Sequence, residues 1–308
     1  MTISVLNADR SAADPVIDVA GLSVRYGDFE AVKDLSFRVE RGELYALLGP
    51  NGAGKTSALE VIEGHRKASA GTVRVLGRSP LDRRAVRPRV GIMLQENGFA
   101  GDLTTAETVR LLGRLSRRSD TVDRVLRVVA LTDKADTTVA QLSGGEKRRL
   151  DFATAVYGRP ELIFLDEPTT GLDIQSRDAV WDTVEALRAD GSTIVLTTHY
   201  LEEAQEHADR VGLMHHGSLR QQGTVAELTR SLPASIEFTL PAGAPISPLR
   251  AAPASDRSYQ IHTHHLQQDL KQLLDWADTN AIELPQLSAA PTSLDDVFRA
   301  IEDEPTAA

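Results

Sequence analysis

From Val16 to about Leu228, short apolar runs alternate with stretches of helical period. The runs IDVAGLSVRY, ELYALLG, RVGIMLQ, ELIFLD and STIVLTT predict strands. Several are continuously apolar, as strands covered on both faces in an α/β sheet must be. Between them, residues 105–117, 120–130, 144–158, 174–190 and 200–208 carry the helical spacing. The pattern therefore predicts a layered α/β domain.

Near Leu228 this rhythm breaks. Residues 241–257 contain Pro241, Pro245, Pro248 and Pro253, too many for a helix, and predict an extended loop. Beyond it come a further strand-like run, an amphipathic helix near 265–277 and a last helix at 294–302. In that last helix Leu294, Val297, Phe298 and Ile301 share one face, and Ser293 with Asp296 reads as its N-terminal cap. The expected organisation is a polar tail at 1–15, an α/β domain at 16–230 and a small α+β domain at 231–308.

Composition narrows the partners. The 308 residues include no cysteine, which excludes disulfides and thiolate metal sites. No run approaches the roughly 18–20 apolar residues that span a bilayer, and MTISVLNADRSAADP lacks the basic start and apolar core of a signal peptide. Net charge is −10, with 11 acidic and 4 basic residues from Ser231 onward. Such a surface repels phosphate backbones, so no nucleic-acid partner is expected. The pairs His215–His216 and His264–His265, with nearby His262, are expected to be solvated strand and turn residues. Neighbours on a strand point to opposite faces and rarely share a metal.

The candidate chemistry begins at residues 49–56, GPNGAGKT, which follow an apolar strand and precede a helical run. Glycines let such a loop curl so that backbone N–H groups and a helix N-terminus face phosphate oxygens. Gly49, Pro50, Asn51, Gly52, Ala53, Gly54 and the following Ser57 are thus candidate ATP contacts. Lys55 is the candidate bridge between β- and γ-phosphates, and Thr56 the candidate hydroxyl for Mg²⁺. ELIFLDEP ends a strand in two carboxylates: Asp166 is a candidate Mg²⁺ ligand and Glu167 a candidate base for the attacking water. In LSGGE, Ser143 and Glu146 fit a capping box. Gly144 and Gly145 each cost about 1 kcal/mol in a helical turn relative to Ala, which points to close approach of a phosphate.

Together these motifs resemble the ABC ATPase family, whose members carry LSGGQ at residues 142–146; Glu146 is the departure. The resemblance implies a P-loop NTPase fold with a RecA-like core, an antiparallel β subdomain and an α-helical subdomain. It further implies that Tyr26 stacks on adenine and that Gln95 touches Mg²⁺ or its water. Asp173 then couples the two sites, and His199 contacts the γ-phosphate. It also implies that Ser143, Gly144, Gly145 and Glu146 serve ATP held by a second copy in a head-to-tail dimer. TTHYLEEAQEHADRV and PTSLDDVFRAI resemble the daunorubicin-resistance type of exporter. That branch implies a separate transmembrane permease and a place on the cytoplasmic face of the membrane. An importer subunit is the nearest alternative. A soluble ABC ATPase acting on ribosomes or DNA fits less well, because the chain has one set of motifs and no sustained heptads.

Overall fold

The computed structural model describes residues 14–93, 98–230, 232–241, 252–255 and 258–302. The chain packs as two compact units, Met1–Gln222 and Gly223–Ala308, dividing ahead of the 230/231 boundary expected from the sequence.

The first unit runs β1 (Ile17–Tyr26), β2 (Phe29–Val39), β3 (Leu44–Leu48), α1 (Lys55–Ile62), β4 (Ala70–Val75), α2 (Arg83–Val86) and β5 (Val90–Met93). It continues through α3 (Thr105–Leu115), α4 (Val122–Val128), α5 (Gly144–Val156), β6 (Leu162–Asp166), α6 (Ile174–Ala189), β7 (Thr193–Thr198), α7 (Leu201–His207), β8 (Arg210–His215) and β9 (Ser218–Gly223). The main sheet has the order β5-β6-β7-β3-β8-β9 and is parallel from β5 to β8. All residues of β3 and β7 are buried, the reason their sequences lack alternation. A second, antiparallel sheet has the order β2-β1-β4. One apolar core joins the two sheets, with Phe37 of β2 stacked 5.1 Å from Tyr45 of β3.

Helices α3, α4 and α5 form the helical part, each started by a side chain that accepts a backbone N–H: Thr104, Thr121 and Ser143. His216, at φ 48°, and Gly217 make the tight turn that joins β8 to its sheet neighbour β9. His215, expected to be solvated, is instead buried at the end of β8, its ring centroid 4.1 Å from that of His216. His262, His264 and His265 are exposed.

The second unit comprises α8 (Val225–Thr229), β10 (Ala234–Thr239), β11 (Ala252–Ser255), β12 (Ser258–Thr263), α9 (Leu266–Thr279), β13 (Ser288–Ala290) and α10 (Leu294–Glu302). Its antiparallel sheet, β11-β12-β10-β13, packs Ile236, Phe238 and Ile261 against Leu273 of α9. The proline-rich stretch is therefore not loop throughout, since Pro253 lies in β11. An edge strand tolerates proline because it leaves one side of its backbone unpaired. The cap of α10 forms as the sequence implies: Ser293 N–H donates to Asp296 Oδ2 at 2.8 Å, and Asp296 N–H returns to Ser293 Oγ at 3.3 Å.

Gly91 sets how closely α5 approaches the main sheet. A Cβ there would lie 2.1 Å from the Ala155 carbonyl oxygen, a backbone atom inside α5. Alanine in a strand ordinarily gains about 0.5–1 kcal/mol over glycine, but overpacking against a rigid neighbour costs about 1–3 kcal/mol. Gly91→Ala is expected to lower stability, read as a lower midpoint in urea. A midpoint at or above that of the wild type would show that α5 yields.

Candidate nucleotide site

The loop between β3 and α1 leaves the middle of the main sheet beside the strand-order reversal, since β3 lies between β7 and β8. Gly54 caps α1 at φ 98°, and a Cβ there would come within 2.4 Å of the Ala31 carbonyl oxygen of β2. No side chain fits, so the glycine is required for the loop to seat against the antiparallel sheet. Lys55 is nearly buried, and its ammonium donates to the Gly49 carbonyl at 2.7 Å and the Pro50 carbonyl at 3.1 Å. An ammonium carries three hydrogens, so one remains for a further acceptor. Burial pulls the Lys55 pKa down, against the charges of Glu167 and Asp166, which favour the cation.

Asp166 ends β6 opposite Thr197 of β7, and the Thr197 hydroxyl donates to Asp166 Oδ1. Burial pushes the Asp166 carboxyl above its ordinary range despite that bond. Glu167 follows at φ 48°, a left-handed conformation that is uncommon outside glycine. Its Oε1 lies 3.2 Å from His199 Nδ1, and its Oε2 accepts from the Thr170 hydroxyl at 3.2 Å. His199 sits just beyond β7, so two adjacent parallel strands deliver the pair.

Tyr26, Phe29, Asn51, Gly52, Gly54, Lys55, Thr56, Ser57, Asp166 and Glu167 line one cleft with Ala31. Tyr26 is tethered at its rim: its hydroxyl donates to Glu60 Oε2 at 3.0 Å and lies 3.2 Å from Ser57 Oγ, while the Arg66 guanidinium stands 3.9 Å from its ring centroid. Ser143, Gly144, Gly145, Glu146 and Asp173 do not line this cleft. Ser143 and Glu146 form the expected capping box, with Glu146 N–H donating to Ser143 Oγ at 3.2 Å and Ser143 N–H to Glu146 Oε2 at 2.8 Å. That backbone bond holds the Glu146 carboxyl low, helped by Lys134 at 3.2 Å. Asp173 caps α6, accepting from Ser176 N–H at 2.7 Å. Gln95 lies outside the described residues.

Three further residues at the site, Phe29, Thr170 and Thr197, carry little or no signal in the sequence alone. Phe29 pairs with Tyr26 across a two-residue turn and is 65% exposed, against 41% for Tyr26. The turn YGDF would have placed it. Thr197 and Thr170 are ordinary strand and loop threonines until the fold brings them to the carboxylates.

The donor set is hard oxygen: the Asp166 carboxylate and the Thr56 hydroxyl line the same cleft, which fits Mg²⁺ rather than a soft metal. Asp166 also bears a stability cost. Its folded pKa is raised, so the ionised form is disfavoured in the fold. The penalty is complete above the folded pKa and disappears as pH falls below the unfolded value. Asp166→Asn keeps an acceptor for Thr197 and removes the charge. Without nucleotide it should melt higher than the wild type at pH 7, by about 2–4 °C for each kcal/mol relieved, with the gap closing toward pH 4. An equal or lower melting temperature at pH 7 would contradict a desolvated Asp166.

Comparison with known proteins agrees with this geometry. A family model described as "ABC transporter" matches residues 32–170, and one described as "ABC transporter domain-containing protein-like, C-terminal domain" matches 234–293. The chain is 42% identical over 222 residues to the daunorubicin resistance ATP-binding protein DrrA3 of Streptomyces coeruleorubidus, covering 70% of each chain. It is 39% identical over 220 residues to the Nod factor export ATP-binding protein I of Ralstonia nicotianae, covering 70% of this chain and 68% of that one. A solved ATP-binding subunit of an ABC transporter superposes with a TM-score of 0.65 at 27% identity, covering 70% of this chain and 92% of the other. With a phosphate loop, two carboxylates and a histidine gathered at the ends of parallel strands, this chain belongs to the ABC transporter ATP-binding family and is an ATP-hydrolysing subunit.

Proposed function

We propose that the chain powers export through a separate transmembrane permease by closing on ATP as a head-to-tail dimer and reopening after hydrolysis. The observation that carries the hydrolytic part is the Glu167–His199 pair beside Asp166 and Lys55. Lys55 and the loop from Gly49 to Ser57 hold the phosphates. Glu167 takes the proton of the attacking water, with Thr170 and His199 fixing its two oxygens. Nδ1 of His199 faces Glu167; donation from both ring nitrogens, Nδ1 to Glu167 and Nε2 to a γ-phosphate oxygen, takes the imidazolium form of His199. Mg²⁺, held by Asp166 and Thr56 and on the family likeness also by Gln95, would neutralise charge on the transferred group.

The exposed start of α5 supports the dimer. Ser143 and Gly144 are exposed at the start of α5, and a Cβ on Gly144 would meet nothing within 4 Å. That open helix start is suited to the nucleotide of a second copy, with Asp173 coupling the two sites. Export follows the likeness to resistance and Nod factor export proteins. Among the described residues no helix is long and apolar enough to cross a membrane. The permease would hold this subunit at the cytoplasmic face.

Tyr26 is the proposed adenine platform. Tyr26→Ala should weaken ATP binding while Tyr26→Trp preserves it, since stacking needs only an aromatic face. Nucleotide titration giving one affinity for all three proteins would remove Tyr26 from the site.

Glu167→Gln should bind ATP yet lose turnover by about 10²–10⁴-fold, the usual contribution of a general base. It should then accumulate as an ATP-bound dimer in size-exclusion chromatography, and adding Ser143→Arg should return it to monomers that still bind ATP. A Glu167→Gln protein that remains monomeric at saturating ATP, alone and with its permease, would count against the two-chain site.

A further inference from the structure

The left-handed backbone at Glu167 requires something to hold it, because β6 ends at Asp166 and the last ladder bond is Glu167 N–H to the Thr197 carbonyl at 2.9 Å. Beyond that point the carbonyls of Asp166, Glu167 and Pro168 leave the sheet. All three accept from one side chain of a different element, and the Glu167 carbonyl accepts in addition from Thr170 N–H at 3.3 Å. Nη2 of Arg148, on α5, donates to the Asp166 carbonyl at 2.6 Å and the Glu167 carbonyl at 2.5 Å, and its Nε donates to the Pro168 carbonyl at 3.4 Å. The Arg148 side chain is 13% exposed, and its Nη1 stands 3.5 Å from Asp151 Oδ2 one turn along α5.

We propose that Arg148 is a positioning residue for hydrolysis: its guanidinium clamps the carbonyls on both sides of Glu167 and thereby aims the Glu167 carboxylate at the attacking water. This rests on the reading of Glu167 as the group that acts on that water. The direction of a side chain follows from the peptide planes flanking its Cα. Fixing the carbonyls of Asp166 and Glu167 fixes both planes, and with them a φ that non-glycine residues adopt uncommonly. A planar fork suits successive carbonyls, whereas the point charge of a lysine does not reproduce its geometry. The neighbouring arginine is engaged elsewhere, with Arg149 Nη1 donating to Ser176 Oγ of α6 at 3.1 Å. Because Arg148 lies one turn into the helix capped by Ser143, the helix start offered to a second nucleotide is tied to the hydrolytic carboxylate of its own chain.

The test uses the full chain, steady-state hydrolysis and equilibrium ATP binding. Arg148→Ala should leave ATP affinity unchanged and lower kcat by about 100-fold, the effect of a misplacement of about 1 Å. Arg148→Lys, which keeps the charge and the stem, should bind ATP normally with an intermediate loss of kcat; if the alanine variant does not fold, the lysine variant decides. In a Glu167→Gln background, Arg148→Ala should cause no further loss. Wild-type kcat in Arg148→Lys or Arg148→Ala overturns the proposal, as does a loss confined to ATP affinity. Fully additive losses also overturn it, leaving the Glu167 reading intact. Undiminished turnover in Glu167→Gln alone would instead remove the Glu167 reading, and the role of Arg148 with it.

Discussion

The parallel register of β6, β7 and β3 is the constraint on which the site depends. Leu162–Asp166 pairs in step with Thr193–Thr197, and Leu44–Leu48 pairs with Ile194–Thr198. Three strands that run the same way end at the same edge. The phosphate loop, the paired carboxylates and His199 therefore emerge side by side although more than a hundred residues of chain separate the first from the others. A crevice at the strand ends beside a change in strand order is where open α/β sheets bind ligands. Strands buried on both faces carry no alternation to hold their register, so the polar end residues mark it: Thr197 lies opposite Asp166 and offers it a hydroxyl in this alignment.

The electrostatics follow from the same burial. Two carboxylates, a lysine and an arginine meet in a small, partly dry volume. Desolvation moves Asp166, Lys55 and Arg148 each toward its neutral form, while their opposite charges restrain the shift. Such a cluster, with one hydrogen of Lys55 left for a further acceptor, is suited to a polyanion carrying a hard cation. Cost to the fold and readiness for the ligand share one origin, as is common where charged groups are gathered for catalysis.

The helical part contributes through α5. Its start is capped by its own Ser143 and Glu146 and stays exposed, while Arg148 reaches inward to the carbonyls after β6. Gly91 and Ala155 determine how closely that helix lies on β5. One helix thus presents an open end outward and grips the chain after β6 from within, which on the proposed roles of Ser143 and Glu167 is a short route from one to the other.

Much of this was legible in the residues themselves. Continuous or nearly continuous apolar runs marked β3, β5, β6 and β7, because burial on both faces favours such a composition, and the run IDVAGLSVRY marked the half-buried β1. Gly54 and Lys55 announced the phosphate loop, and S-x-x-E and S-x-x-D marked the caps of α5 and α10, since these signals act within a few residues. The tertiary structure alone decided what arises between distant segments. It put Phe29 beside the phosphate loop, Thr197 on Asp166, Arg148 on the carbonyls around Glu167, and Pro253 on a sheet edge. It also buried His215 at the end of β8. Local spacing determines which backbone groups and side chains seek a partner; only the packed sheet determines which partner lies within reach.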